Sequence, residues 1–130
     1  RCFYELLELL YHGQRTVTLA NRMAQFISEN YLRITSLEDL CRQFHYSKNH
    51  IINLFRQEYG MTPIDYMNDV KLRRAMHLLE VTSNTIEDIA AESGFHNYSH
   101  FYRLFYRKTG ISPVQWRKNI FLQPTQYHKT

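Results

Sequence analysis

Two sets of side chains, 50 positions apart, carry groups that can recognise nucleic-acid bases. The first is Lys48, Asn49, Ile52, Asn53 and Arg56; the second is Ser99, His100, Tyr102, Arg103, Tyr106 and Arg107. On a helix each set falls on one side, while Ile51, Leu54 and Phe55, or Phe101, Leu104 and Phe105, fall on the other. In a major groove Arg can donate two bonds to guanine and Asn can pair with adenine in bidentate fashion. An exposed Ile or Tyr can rest on a thymine methyl. Lys48, Arg56, Arg107 and Lys108, with the free amides of helix first turns, suit phosphate and would fix register. Taken alone, a polar outer face is also what any solvated helix presents. Water gives no reason to place Ile52 at the position matching Tyr102, with Tyr106 beside it, so the pair of faces points beyond solvation.

The elements that must position these faces are written twice. Gly60-Met61-Thr62-Pro63 recurs as Gly110-Ile111-Ser112-Pro113, 50 positions on. At the same offset His50, Ile51, Leu54, Phe55 and Tyr66 match His100, Phe101, Leu104, Phe105 and Trp116. Further upstream Leu37, Leu40, Cys41 and Tyr46 match Ile86, Ile89, Ala90 and Phe95 at an offset of 49, so one residue is inserted between positions 95 and 101. Ser36 with Asp39, and Thr85 with Asp88, read as helix starts with a capping residue and an acid three places on. A tight turn follows each short helix, centred on His45 and on Gly94; glycine accepts positive φ freely, and histidine tolerates it better than most side chains. Ser47 and Asn97 cap the next helix, and Gly60 and Gly110 end it. Thr62-Pro63 with Asp65, and Ser112-Pro113 with Gln115, start another. Two helices around a short turn, twice, predict two helix-turn-helix units.

The predicted organisation is all-α. An amphipathic helix and linker occupy residues 1–17, with Phe3, Leu6, Leu7 and Leu10 at helical spacing. The first helix-turn-helix subdomain covers 18–62, its motif about 37–58, and opens with a helix whose apolar face is Leu19, Met23, Phe26 and Ile27. A linker helix follows at 63–80, about 27 Å long at 1.5 Å per residue. The second subdomain covers 81–122, its motif about 86–109, and residues 123–130 form a tail. Two helices so joined are placed for successive major grooves, which recur every ~34 Å.

At 130 residues and 44% hydrophobic composition the chain can build one ordinary core or two very small ones. Its formal net charge of +4 is a weak pointer to anionic partners, but the distribution is uneven. All 12 acids lie at or before Glu92, and Arg103, Arg107, Lys108, Arg117, Lys118 and Lys129 follow without one. No apolar run reaches the ~18 residues of a membrane span and no leader pattern opens the chain, which reads as cytoplasmic with no membrane partner. A start at Arg1 inside an apolar helical pattern suggests a fragment of a longer protein. Cys41 occupies an apolar position equivalent to Ala90, so a buried, reduced thiol is expected there rather than a disulfide with Cys2.

Other chemistries find little support. Glu92, His96 and His100 are spaced by four, but the Gly94 turn breaks the register a metal site would need, so no metal is expected. No phosphate-binding glycine loop, nucleophile elbow or paired-carboxylate cleft occurs, and no cofactor is implied. A DNA-repair transferase would need a reactive cysteine in a basic pocket, which neither Cys2 nor Cys41 offers. An enzyme is therefore not expected. The remaining rival is a helical protein-interaction module using the Phe3 to Tyr11 helix and the exposed tyrosines.

From Lys71-Leu72 and Ala75 through Leu78-Leu79, Ile86, Ile89-Ala90, Gly94-Phe95, Ser99, Phe101 and Phe105 to Gly110, Ser112 and Pro113, the chain resembles the AraC/XylS class of bacterial transcription regulators. The resemblance spans residues from about 19 to 120. It implies two helix-turn-helix subdomains on a long helix and sequence-specific promoter binding, most often to activate transcription by contacting RNA polymerase. Base-contacting positions carried over on it are Asn49, Ile52 and Asn53, then Tyr98, Ser99, His100 and Arg103. His45 departs from the family's usual glycine, which implies a strained or differently shaped first turn. Ile52 and Asn53 replace longer polar or basic side chains, implying a weaker or more thymine-dependent first reader. The resemblance also implies an effector-binding and dimerisation domain upstream, whose end Phe3 to Tyr11 would be.

Overall fold

The computed structural model describes residues 18–122, so the expected N-terminal helix, Cys2 and the tail lie outside the described residues. Among the described residues seven helices follow one another: α1 (Leu19–Asn30), α2 (Leu37–Phe44), α3 (Lys48–Tyr59), α4 (Pro63–Val81), α5 (Ile86–Glu92), α6 (Tyr98–Thr109) and α7 (Pro113–Leu122). Among the described residues there is no strand, and no helix is long and apolar enough to cross a membrane. The all-α fold with two helix-turn-helix motifs and a long intervening helix is the one expected.

The boundaries are set by side chains that satisfy the free amides of each first turn. Thr18 accepts from the Asn21 N–H at 3.1 Å, Ser47 from His50 at 3.2 Å, Thr62 from Asp65 at 3.1 Å, Thr85 from Asp88 at 3.1 Å and Asn97 from His100 at 3.0 Å. At α2 the Asp39 carboxylate reaches back to the Thr35 N–H at 2.8 Å and the Thr35 hydroxyl at 3.0 Å. These bonds hold its pKa below the usual aspartate value. Ser112 accepts from the Gln115 N–H at 3.1 Å, but the Gln115 amide turns forward to Asn119 at 3.0 Å. The reciprocal half of the expected box at α7 is thus replaced by an i,i+4 pair.

The turns follow the repeat. His45 takes the left-handed conformation at φ 63°, and Gly94, Gly60 and Gly110 have φ of 102°, 75° and 84°. His45 and Gly110 N–H groups close the preceding helices onto Cys41 and Tyr106 carbonyls at 2.7 Å. Space around a Cβ built on Gly60 or Gly110 is open to 4 Å, so conformation alone sets the requirement there. The inserted residue is His96, the extra step between Phe95 and the Asn97 cap.

The chain divides into two compact units, with the division inside α4 between Met67 and Asn68. In the first, Ala20, Met23, Ala24 and Ile27 of α1, Ile34, Leu40 of α2, Ile51 and Phe55 of α3 and Met67 of α4 form one buried cluster. Cys41 packs against it half-buried, less enclosed than expected. In the second, Leu72, Ala75, Leu78 and Leu79 of α4 meet Ile89, Ala90, Phe95, Phe101 and Phe105. Each end of α4 therefore contributes apolar side chains to one of the two cores.

Two devices in the second unit were not expected. Arg117 of α7 forks over the end of α4, donating to the Leu79 carbonyl at 3.1 Å, Thr82 at 3.0 Å and Asn84 at 2.7 Å. Carbonyls there lack helical donors and favour a cation, so Arg117 serves the fold rather than the positive field assigned to it from sequence. Ser93 is fully buried, and its hydroxyl has no partner.

Replacing Arg117 with Ala is expected to lower the unfolding free energy by about 2 to 4 kcal/mol, since three acceptors lose a charged donor. Arg117→Lys should restore under half, because an ammonium cannot fork. Urea unfolding of the variants checks this, and equal stability of all three would refute the clamp. His45→Gly should raise stability by up to about 1 kcal/mol: a left-handed side chain costs ~1–2 kcal/mol, and glycine's extra chain entropy returns ~0.5–1 kcal/mol of that. A lower melting temperature for His45→Gly would show that the histidine side chain contributes more than its strain.

Candidate nucleic-acid interface

The first face is the outside of α3. Ile51 and Phe55 are fully buried and fix its rotation, the Phe55 ring lying 4.6 Å from Tyr59 and 5.4 Å from Tyr66. Lys48, Asn49, Asn53 and Arg56 consequently project outward, with Ile52 half-buried at the edge. Lys48 pairs with Glu38 of α2 at 2.5 Å. The pairing pushes the lysine pKa up and the glutamate pKa down. Both side chains are at least half exposed, so a phosphate can take the place of the carboxylate at little cost. Ahead of the helix the Tyr46 ring stacks on His50 at 4.7 Å.

The second face is the outside of α6. Phe101 and Phe105 are fully buried, Phe105 edge-on to Trp116 at 5.9 Å, and they set the rotation here. Tyr98, Ser99, Tyr102, Arg103, Tyr106 and Arg107 are exposed. His100 stands apart from them, half-buried, its ring edge on Phe95 at 6.1 Å. Burial, and then Arg103, Lys71 and Arg107, hold its pKa below the usual histidine value. Burial raises the Tyr98 pKa. Lys108 leans to the other side of the helix and meets Asp69 of α4 at 3.6 Å.

The predicted base-reading positions Asn49 and Asn53 thus share one exposed face with Ile52 at its rim, and Ser99 and Arg103 share another with Tyr98 at its rim. Of the phosphate candidates, Arg56 and Arg107 border these faces, whereas Lys48 and Lys108 are held by carboxylates. Three residues on or near the faces are given no role there by the sequence pattern. Gln57 is exposed where Arg107 stands in the second unit, a match the 50-residue offset supplies. Glu38 is the partner that holds Lys48. Lys71, only 8% exposed, lays its ammonium 5.6 Å from the Phe95 centroid, and burial lowers its pKa. The signal for Lys71 was a lysine in the apolar row Ile64, Met67, Ala75 and Leu78 of α4.

No group of three or more potential metal ligands occurs among the described residues. What the geometry offers is recognition: in each unit a short capped helix and a tight turn present a second helix with polar and cationic side chains outward, Asn49, Asn53 and Arg56 in one and Ser99, Arg103 and Arg107 in the other. Two such units define a double helix-turn-helix domain of the DNA-binding kind. The comparisons agree. The helix-turn-helix domain family matches residues 40–119. An uncharacterised HTH-type transcriptional regulator of Bacillus subtilis (strain 168), YisR, is 33% identical over 75% of this chain and 34% of its own length. The HTH-type transcriptional activator RhaR of Klebsiella pneumoniae is 33% identical over 77% of this chain and 36% of its own. In structure, a probable AraC family transcriptional regulator from Rhodopseudomonas palustris superposes with a TM-score of 0.70 and 27% identity, covering 78% of this chain and 97% of that one. The chain belongs to the AraC-type helix-turn-helix family of DNA-binding transcription regulators. It spans about a third of the length of the curated relatives it matches.

His100 gives a pH prediction. Its folded pKa lies below its unfolded value, so as pH falls through the usual histidine range the unfolded chain takes up the proton first and stability drops. The unfolding free energy of the wild type should therefore fall more steeply between about pH 7 and 5 than that of His100→Gln, as followed by urea unfolding. Superimposable profiles would refute the shift.

Proposed function

We propose that this chain is the DNA-reading part of a bacterial transcription activator, with α3 and α6 each entering a major groove of one duplex, in successive turns. The observation that carries the reading is the repeated outward set, Asn49 and Asn53 in one unit and Ser99 and Arg103 in the other, on helices held by fully buried Ile51 and Phe55, or Phe101 and Phe105. Asn49, Ile52, Asn53, Tyr98, Ser99, His100 and Arg103 read base edges. Arg56 and Arg107 contact phosphate, joined by Lys48 and Lys108 once they exchange Glu38 and Asp69 for the backbone.

The activator role is supported by the relative RhaR, named an activator; on this reading it works through contact with RNA polymerase. Control by an effector and homodimerisation belong to an upstream domain, for which the greater length of the relatives leaves room. The site of action is the cytoplasm, where bacterial promoters lie.

The test is selection of bound duplexes from random DNA, which gives the operator and its half-site spacing. Against the selected duplex Arg103→Ala should lose about 1 to 3 kcal/mol more than against random DNA, while Arg107→Ala weakens both alike. Affinity should fall steeply with salt. Equal losses for both variants on every sequence would remove Arg103 from the base readers, and absence of salt-dependent duplex binding would overturn the reading as a whole.

A further inference from the structure

Three tyrosines follow one another along α6 at intervals of four: Tyr98, Tyr102 and Tyr106, with 38%, 39% and 51% of their surface exposed. Side chains four apart lie one above the other on a helix. Tyr98 leans inward, its ring 5.8 Å from the buried Phe101. Tyr102 and Tyr106 do not. Their rings stack on each other with centroids 6.2 Å apart and planes 16° from parallel, and each leaves a large area open to water. The core needs neither ring, since Phe101 and Phe105 already close it.

The row they form lies beside the row of Ser99, Arg103 and Arg107, because residues one apart occupy neighbouring rows. An apolar surface next to a guanidinium, on a helix without a carboxylate, fits one partner chemistry in particular. In the major groove the sole apolar group on a base edge is the thymine 5-methyl, while guanine beside it offers the two acceptors that arginine takes. A stacked tyrosine pair has few torsions to freeze on binding, which lowers the cost of presenting its surface. The first unit places Ile52 at the position of Tyr102, so an apolar group at this register occurs in both copies, in the second extended by one turn through Tyr106.

We infer that the Tyr102–Tyr106 pair is a specificity-determining platform for thymine methyls, set beside the base contacts of Arg103. The inference rests on the DNA-reading assignment above and adds two readers that the resemblance does not supply. It predicts thymines in the second half-site next to the position read by Arg103.

The experiment uses the 130-residue chain and the duplex obtained by selection, with each thymine of the second half-site replaced in turn by deoxyuridine, which removes only the methyl. For the wild type one or two of these replacements should weaken binding about threefold to tenfold, the scale of one buried methyl. The Tyr102→Ala, Tyr106→Ala double variant, checked for unchanged helicity and melting, should bind thymine and deoxyuridine duplexes alike. The corresponding double Phe variant should keep the discrimination, since the ring and not the hydroxyl makes the contact. Insensitivity of the wild type at every position, or discrimination undiminished in the Ala variant, overturns the platform. Failure to bind any duplex specifically would instead strike at the DNA-reading assignment, so the two are distinguished.

Discussion

The burial of one aromatic ring in each copy, Phe55 and Phe105, is the constraint on which the other features hang. Each is fully enclosed on its helix, α3 or α6, and each touches an aromatic three residues past the proline that starts the next helix, Tyr66 in one case and Trp116 in the other. Full burial of a phenylalanine contributes about 1.5 to 3 kcal/mol, and its removal with the resulting cavity costs about 3 to 5 kcal/mol. That energy is also directional. With Phe55 or Phe105 inward, the residues two places earlier, Asn53 and Arg103, must face out, because 200° of helix separates them.

Charge then refines what packing has set. The cations of the two faces differ: among the described residues Arg56, Arg103 and Arg107 pair with no carboxylate, while Lys48 and Lys108 sit on Glu38 and Asp69. Pairs as open to water as Lys48–Glu38 are worth little and exchange easily, whereas Lys108–Asp69 is the more enclosed of the two. Arginine, with its planar fork, does the shape-dependent work within the fold at Arg117, and the same fork stands outward at Arg103.

Much of this was legible in the chain because the determinants are local. A capping Ser or Thr, a Pro at the first helical position and a Gly at the end each act within a few residues, and the 50-residue repeat gave every one a second witness. The outward sets were legible for the same reason, since helical periodicity alone separates Asn53 from Phe55. What escaped was non-local. Nothing near Arg117 in sequence says that it will meet the carbonyls of Leu79, Thr82 and Asn84, more than thirty positions earlier. The equivalent first-unit residue is Met67, which is simply buried, so the repeat misleads at this place. Ser93 was missed likewise, a hydroxyl enclosed by neighbours that only folding brings near, while Lys71 shows its burial in the apolar row of α4 but not the Phe95 ring it meets. The Gln115 side chain shows the opposite limit: two local partners were available, and the sequence does not rank them.

The glycines that end α3 and α6 are selective for handedness. Around Gly60 and Gly110 there is room for a β-carbon, yet the backbone angles disfavour one on an L-residue. What these positions reject is therefore chirality and not bulk. A D-alanine introduced by chemical synthesis would find its torsions provided and would remove the chain entropy that glycine brings to the unfolded state. His45, already in the same region with an ordinary side chain, marks how far the natural alphabet can go there at the cost of some strain. The paired glycines are places where evolution, confined to one hand, settled for the residue that has none.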